Sequence, residues 1–297
     1  EKINFMGVSA KYIDALSKEN LNIIDKYKLK NLETIGSTGS PLIHESFDYI
    51  YTSVKKDVLV ASLSGGTDIV GCFIGGNPMS VVRRGEIQGP ILGMDVHVYD
   101  ESANSLKNEK GELVCIKSFP SMPLFFWNDY NNEKYHDAYF NKYENVWCHG
   151  DYILKTENDG FIIFGRSDAT LNPGGVRIGT AEIYRQVEQI EEVLEGLVVG
   201  QIWKGDTRVV LFVRLNENSN LTDELMDKIK TKIRTGASPR HVPAKIISVK
   251  DIPRTKSGKI AELAVRDLIH NKPINNITAL ANPECLEIYK NIKELNA

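Results

Sequence analysis

Two stretches of this chain hold residue types suited to handling an anionic ligand: I-P-R-T-K-S-G-K-I (252–260) and G-R-S-D-A-T-L-N-P-G-G-V-R-I-G-T-A-E-I (165–183). In the first, proline punctuates a turn, Gly258 lets the backbone come close to a ligand, and Lys259 reaches out as a point charge from an expected helix start. The second gathers Arg166, Asp168, Gly174, Gly175 and Arg177 into a density of charge and glycine that a connector does not need. Paired glycines suit a close backbone approach to a thin ligand. Neither stretch is a P-loop: Pro253 stands where G-x-x-x-x-G-K-[ST] needs its first glycine, and Ile260 replaces the Ser/Thr. Taken alone, the lysine block is better explained as a cation-rich surface turn. Two smaller blocks, S-G-G-T-D-I (64–69) and C-H-G-D-Y (148–152), are weaker still by themselves. Glycine-rich turns after strands are common, and His149 beside a Gly-Asp turn reads as structural rather than as a general base.

These blocks need elements to hold them. Apolar spacing predicts helices over Ile13–Tyr27 and His44–Val54, with a strand-like segment and glycine-rich turn, L-E-T-I-G-S-T-G-S-P-L (32–42), between them. Val58–Leu63 suits a buried strand leading into S-G-G-T-D, and Val96–Tyr99 and Leu113–Lys117 read as half-buried strands. Tyr152–Lys155 and Phe161–Phe164 flank E-N-D-G as a hairpin. After Asp168 the pattern becomes helix (Thr180–Leu194), strands (Leu197–Trp203, Arg208–Leu215), helix (Asp223–Arg234), strand (Lys245–Val249) and helix (Lys259–His270). That alternation predicts a compact α+β unit, with a domain boundary at 167/168. The fold class expected is α/β and α+β multidomain: a β-rich larger part over 1–167 and a small unit over 168–297.

The 297 residues carry a net charge of −3, and no basic field points to nucleic acid or an anionic membrane surface. The longest apolar runs are strand-length, so none is long enough to span a bilayer as a helix. Four cysteines, Cys72, Cys115, Cys148 and Cys285, are scattered without a C-x-x-C pair, which argues against a disulfide framework or a zinc site and suits a reducing cytoplasm. The opening E-K-I-N-F-M-G lacks a starting methionine, so the chain is expected to begin inside a longer protein. A dehydrogenase and a serine-hydrolase triad are disfavoured, since no G-x-G-x-x-G follows a strand and no G-x-S-x-G elbow is present.

In order along the chain, the S-G-G-T-D, C-H-G-D-Y, G-R-S-D and I-P-R-T-K-S-G-K blocks together resemble the adenylate-forming enzymes: acyl-CoA synthetases, peptide-synthetase adenylation domains and luciferases. The resemblance implies a larger AMP-binding domain whose upstream part is missing, a mobile C-terminal domain, and a ligase using ATP, Mg²⁺ and coenzyme A. By it, Lys259 is the catalytic lysine that bridges the acid's carboxylate and the ATP α-phosphate, where charge builds. Asp168 is the hinge. Asp151 and Arg166 hold the ribose hydroxyls, Thr67 (with Gly66 beside it) meets phosphate oxygens, and Asp68 stands where the family's glutamate helps hold Mg²⁺. Gly39, Ser40 and Pro41 lie against adenine, and Arg177 contacts phosphate. Gly174 and Gly175 face the pantetheine, with Arg234 and Arg240 as CoA-phosphate partners, although exposed arginines are usually just solvated.

Gly65 and Gly66 stand where the acetyl-CoA synthetases carry bulky aromatics, and so imply room for a longer acyl chain. The partners implied are small molecules only, with no nucleic acid and no membrane. The family's glycine- and Ser/Thr-rich phosphate loop has no counterpart here; G-S-T-G-S-P (36–41) lacks its lysine and lies too close to the T-D turn. A weakly active or inactive fragment is therefore expected. A short-chain acyl-CoA synthetase of another acyl preference, a carrier-protein adenylation domain and a non-catalytic nucleotide-binding module remain as alternatives.

Overall fold

Three short parallel strands open the structure, a computed structural model that describes residues 2–274 and 277–296. Strands β1 (Phe5–Ser9), β2 (Thr34–Thr38) and β3 (Leu59–Ser62) pair in that order. Helices α1 (Ala10–Lys18), α2 (Ile23–Lys26) and α3 (His44–Tyr49, continued by a π-turn at Ile50–Val54) pack with them around Ile13, Ile35, Phe47, Ile50 and Val60. The single helix expected over Ile13–Tyr27 is instead two. Asn20 takes a left-handed φ of 51°, while its N–H reaches the Ser17 carbonyl and that of Leu21 the Leu16 carbonyl. This double bond is the helix-ending arrangement that asparagine tolerates well.

A small antiparallel sheet follows, formed by β4 (Ser64–Gly66), β5 (Gly71–Gly75) and β6 (Gly89–Pro90). A four-stranded sheet comes next, of order β10-β9-β8-β7, from β7 (Val96–Tyr99), β8 (Lys110–Cys115), β9 (Trp147–Lys155) and β10 (Phe161–Arg166). Helix α4 (Glu133–Tyr139) brings aromatic rings onto β9: Tyr139 stacks on Trp147 with centroids 3.6 Å apart, and Phe73 and Phe119 meet that indole at 6.1 and 5.4 Å. Offset and edge-on rings of this kind stabilise a core beyond the area they bury.

The described residues divide into two compact units, Glu1–Ile163 and Phe164–Ala297. In the second, β11 (Val193–Trp203) and β12 (Asp206–Leu215) form a long antiparallel pair with β13 (Lys245–Ser248) parallel to β12. Their alternation buries two faces. Val198, Val209, Leu211 and Val213 face α5 (Thr180–Val187) and α6 (Asp223–Gly236); Leu197, Val199, Val210 and Phe212 face α7 (Glu262–Ile269) and the tail residues Leu286 and Tyr289. Side chains on adjacent positions point to opposite faces, so one strand serves both cores. Helix α5 ends seven residues before the expected Leu194, because Val193 has already joined β11. Helix α7 starts at Glu262, and Lys259 precedes it.

Leu211 is fully buried in the middle of β12. Leu211→Ala should lower the stability of the second unit by about 2–4 kcal/mol, read as a shift of that unit's urea midpoint with the midpoint of the first unit unchanged.

Candidate functional site

In the first unit, Gly39-Ser40-Pro41 leaves the C-terminal end of β2, and Ser64–Asp68 follows the C-terminal end of its neighbour β3. Loops at the carboxyl ends of adjacent parallel strands are the usual place for a ligand in an open α/β sheet. Gly39, at a φ of 88°, makes the turn there. Thr67 and Asp68 are exposed in the tight turn between β4 and β5.

The C-H-G-D-Y block, read from sequence as a turn, lies inside β9. Gly150, at φ 79°, sits where the pairing with β8 shifts register, between the Val114–Cys148 and Glu112–Tyr152 partners. Such a bulge re-aims the side chains beside it. It presents both His149 and Asp151 to β4: the Ser64 hydroxyl donates to Asp151 Oδ2 at 3.3 Å, and His149 Nε2 lies 3.2 Å from the Gly65 carbonyl and 3.9 Å from Asp151 Oδ2. His149 and Asp151 are both buried. The His149 ring meets Phe73 edge-on at 4.8 Å, which fixes it as part of the wall.

Both glycines of S-G-G-T-D have a local cause. A side chain at Gly65 would fall on the backbone of Gly71 and Cys72 in β5, and one at Gly66 would come within 2.8 Å of the His149 ring. The imidazole therefore occupies the volume that a residue at 66 would fill. Asp68 accepts a hydrogen bond from the Tyr139 hydroxyl, a partner brought by α4 that no sequence spacing announces. Among the described residues no cluster of three acidic, histidine or cysteine side chains could hold a metal by itself. A lone exposed carboxylate suits Mg²⁺, which keeps waters and is bound through one or two carboxylates plus substrate phosphates.

In the second unit, Arg166 Nε lies 3.5 Å from Asp168 Oδ1, both half-exposed. The Asp168 carbonyl accepts from Arg266 of α7 at 2.7 Å. Arg177, expected to meet a phosphate, braces the same segment: its Nε donates to Thr170 Oγ1 at 3.1 Å and its Nη2 to the Ser167 carbonyl at 3.3 Å. Gly174, left-handed at φ 57°, donates its N–H to both oxygens of Asp206, at 3.1 Å each, at the first residue of β12.

Lys259 lies in a hairpin loop rather than at a helix N-terminus. Thr255 N–H donates to the Lys259 carbonyl at 2.8 Å, Gly258 at φ 84° turns the chain, and Arg254 bridges Ile260. Arg254 pairs with Glu195 near the start of β11. The lysine hairpin, on Glu195, and the Gly174-Gly175 loop, on Asp206 opposite Trp203, thus attach toward opposite ends of the β11–β12 pair, about 25 Å of extended chain apart. Arg234 and Arg240 are exposed at the last turn of α6 and the short turn that follows.

A cavity of about 340 Å³ lies against Ala169 and Thr170, lined also by Asn172, Glu262, Arg266, His270 and Lys272 among others. Two of its basic side chains, Arg266 and His270, are hydrogen-bonded to the scaffold. Arg266 holds Asp267 and the Asp168 carbonyl; His270 Nε2 accepts the Ile202 N–H at 2.9 Å, and its Nδ1 lies 2.6 Å from the Arg266 carbonyl. Beneath them the Glu262 carboxyl accepts from Tyr184, whose hydroxyl also accepts the Val198 N–H. Burial pushes Glu262 up to about 7, opposed by the hydroxyls of Tyr184 and Thr180 and reinforced by the nearby charge of Asp168.

The AMP-binding enzyme C-terminal domain family matches residues 182–259. The chain is 57% identical over its whole length to an acetoacetyl-coenzyme A synthetase of Rhizobium meliloti, covering 46% of that protein, and 45% identical to the Xenopus tropicalis acetoacetyl-CoA synthetase, covering 99% of this chain and 44% of that one. The chain thus spans about half the length of the curated relatives it matches. Among solved structures it superposes on acetoacetyl-CoA synthetase from Streptomyces lividans with a TM-score of 0.88 at 38% identity, covering 100% of this chain and 46% of that one. An anthranilate CoA ligase at 20% identity, covering 90% of this chain and 50% of that one, shares the fold with a TM-score of 0.74. The fold is that of the adenylate-forming enzymes, mixed α/β with several sheets. Among the described residues no helix is long and apolar enough to cross a membrane.

The elevated Glu262 has a defined consequence. The free carboxyl titrates near 4.5, so between pH 4.5 and 7 the folded state keeps a proton that the unfolded chain has lost. The stability contributed by this group is full below that window and falls as pH rises through it, by on the order of 1–3 kcal/mol. Glu262→Gln should therefore gain stability relative to the parent on going from pH 5 to pH 8, measured by urea unfolding at both; a constant difference would mean that Glu262 is already ionised at pH 5.

Proposed function

We propose that this chain, which belongs to the acetoacetyl-CoA synthetases of the adenylate-forming superfamily and spans about half their length, serves the ATP-dependent ligation of acetoacetate to coenzyme A. The carboxylate attacks the ATP α-phosphorus and expels pyrophosphate; the CoA thiol then attacks the acyl-adenylate and expels AMP. The observation that carries this is the attachment of the lysine hairpin and the Gly174-Gly175 loop toward opposite ends of the β11–β12 pair. A single fixed pose cannot bring both to one reacting carbon. A unit that turns about Asp168 presents Lys259 for the first step and Gly174-Gly175 for the second, a division of labour that domain rotation makes possible.

In this scheme Lys259 balances charge developing between the carboxylate and the α-phosphate. Asp151, oriented by the Ser64 hydroxyl, accepts from the ribose hydroxyls, with Arg166 beside them. Thr67 donates to phosphate oxygens, and Gly39-Ser40-Pro41 lies against adenine. Asp68 would hold Mg²⁺, which when bound screens the phosphates. Arg177 meets phosphate once it leaves Ser167 and Thr170. The exposed Arg234 and Arg240 serve the CoA phosphates. The acid lies near Gly65 and Gly66, where His149 closes the space behind Gly66. Four scattered cysteines without a C-x-x-C pair suit a reducing, cytoplasmic setting. Without a phosphate loop of its own, the chain alone turns over slowly or not at all.

Acid-dependent ATP–pyrophosphate exchange tests this, on the chain alone and on a fusion to the upstream part of the Rhizobium meliloti relative. The fusion should exchange best with acetoacetate against acetate and butyrate, and Lys259→Ala should lower the rate about 100-fold or more. Asp168→Pro, which fixes φ at the hinge, should lower overall thioester formation while sparing exchange more. Absence of exchange with every acid, where the relative itself exchanges, would favour a nucleotide-binding module.

A further inference from the structure

The tail beyond α7 forms the third strand of the lysine hairpin. Residues 254–256 pair on one side with the return limb, through Arg254–Ile260 bridging and the Thr255–Lys259 hydrogen bond. On their other side, the Lys256 N–H donates to the Ala279 carbonyl at 2.9 Å, the Ala281 N–H donates to the Arg254 carbonyl at 2.7 Å, and Thr255 faces Leu280 in antiparallel register. Asn282 closes this edge with both ends of its amide. Its Oδ1 accepts the Arg254 N–H at 2.8 Å, while Nδ2 donates to Asp251 Oδ2 at 2.7 Å and to the Ile252 carbonyl at 3.1 Å. The Tyr289 hydroxyl donates to the Asp251 carbonyl at 2.8 Å.

Such a hairpin cannot hold itself. A two-stranded ribbon this short is marginal in water, and a third strand with an apolar face gives it independent stability. Leu280, Leu286 and Tyr289 are buried against β11 and β12 and provide that face. The Arg254 side chain ties the same hairpin to Glu195, which also pairs with Arg214 at 3.3 Å. Lys259 itself is exposed and glycine-flanked, so its direction is set by the backbone that carries it rather than by packing of its own side chain.

We infer that Asn282 is a positioning residue for Lys259, acting through the Arg254 backbone, and that the tail around it is part of the adenylating apparatus. This rests on the ligase reading above. Its effect is confined to the half-reaction that uses Lys259: the Gly174-Gly175 loop is anchored elsewhere, on Asp206, whereas the Asn282 amide bonds to Arg254, Asp251 and Ile252.

The test pairs Asn282→Ala with two readouts. The first needs no activity. Tryptic cleavage after Lys256 and Lys259 in the folded chain should quicken about tenfold in the variant, while cleavage in α6 keeps its parental rate, as local opening of a formerly paired backbone requires. The second uses the fusion with the Rhizobium meliloti upstream part. Pyrophosphate exchange should fall about 10- to 100-fold in kcat, the cost of a misplaced catalytic group, while CoA consumption of supplied acetoacetyl-adenylate stays within about twofold. Equal loss in both half-reactions, or unchanged cleavage at the hairpin, overturns the inference. So does a loosened hairpin with exchange intact. A parental fusion that exchanges with no acid overturns the ligase reading and the catalytic half of the inference with it, whatever the cleavage rates show about the brace.

Discussion

The antiparallel pair β11–β12 sets what the second unit can do. It reaches from the lysine hairpin, tied to Glu195, to the glycine loop, tied to Asp206. It is stiff because both faces are buried: alternate residues of β12 serve the cluster under α5 and α6 and the cluster under α7 and the tail. Ten fully extended, two-faced residues leave no room for the pair to bend, so the distance between the two loops is a structural constant. A rigid bar with a different chemical group at each end changes which group faces a site only by moving as a whole. In the proposed scheme the part that moves is the connection at its root, where Arg166, Asp168 and the Ser167–Thr170 turn lie.

That connection is held by contacts that can be exchanged. Arg177 grips the turn through one hydroxyl and one carbonyl, and Arg266 grips the Asp168 carbonyl; the Arg166–Asp168 pair is half-exposed and contributes little. None of these is a packed apolar contact, and hydrogen bonds to water or to an anionic ligand replace them at small cost. Beneath the connection the reverse holds. Tyr184, Glu262 and the Val198 N–H form a buried chain of hydrogen bonds, and His270 is fixed by a backbone donor on one side and a backbone acceptor on the other. Buried polar chains are costly to break, so the floor stays rigid while the segment above it can exchange partners.

The chemical blocks were legible because they are local. Lys259 with its glycine, the Gly174-Gly175 pair and the Arg166–Asp168 stretch are short and contiguous, and their order along the chain identified the superfamily. The strands of the second unit were legible for the same reason: Arg208–Leu215 alternates over a length that only a strand needs. What escaped was everything set by contacts distant in sequence. Ser64 meeting Asp151, Tyr139 meeting Asp68 and Asn282 meeting Arg254 are pairings made by the fold, and no periodicity announces them. The Gly-Asp block was read as a turn because glycine punctuates turns, whereas a positive φ at Gly150 serves equally well as a strand bulge. The helix starting at Lys259 and the helix running on to Leu194 failed alike, since propensity does not register that backbone groups are already taken by a hairpin or a strand.

The glycines of S-G-G-T-D show how one sequence feature answers to two demands. From sequence alone, missing side chains mean open space for an acid. In the fold, Gly65 is glycine because β5 runs against it, and Gly66 is glycine because the His149 ring is there. Any space for a substrate at this point is therefore bounded by an imidazole and not left empty by an absent side chain. A wall of that kind offers a polar edge beside Phe73 as well as volume. An acid bearing a carbonyl along its chain can use a polar edge, and an unsubstituted acid of similar length cannot. Discrimination between such acids is large when a site is built to hydrogen-bond the extra group, and small when it only makes room. If the acid lies here as proposed, selectivity turns on how His149 presents its ring, and that is set by the bulge at Gly150 more than by the two glycines that first drew attention to it.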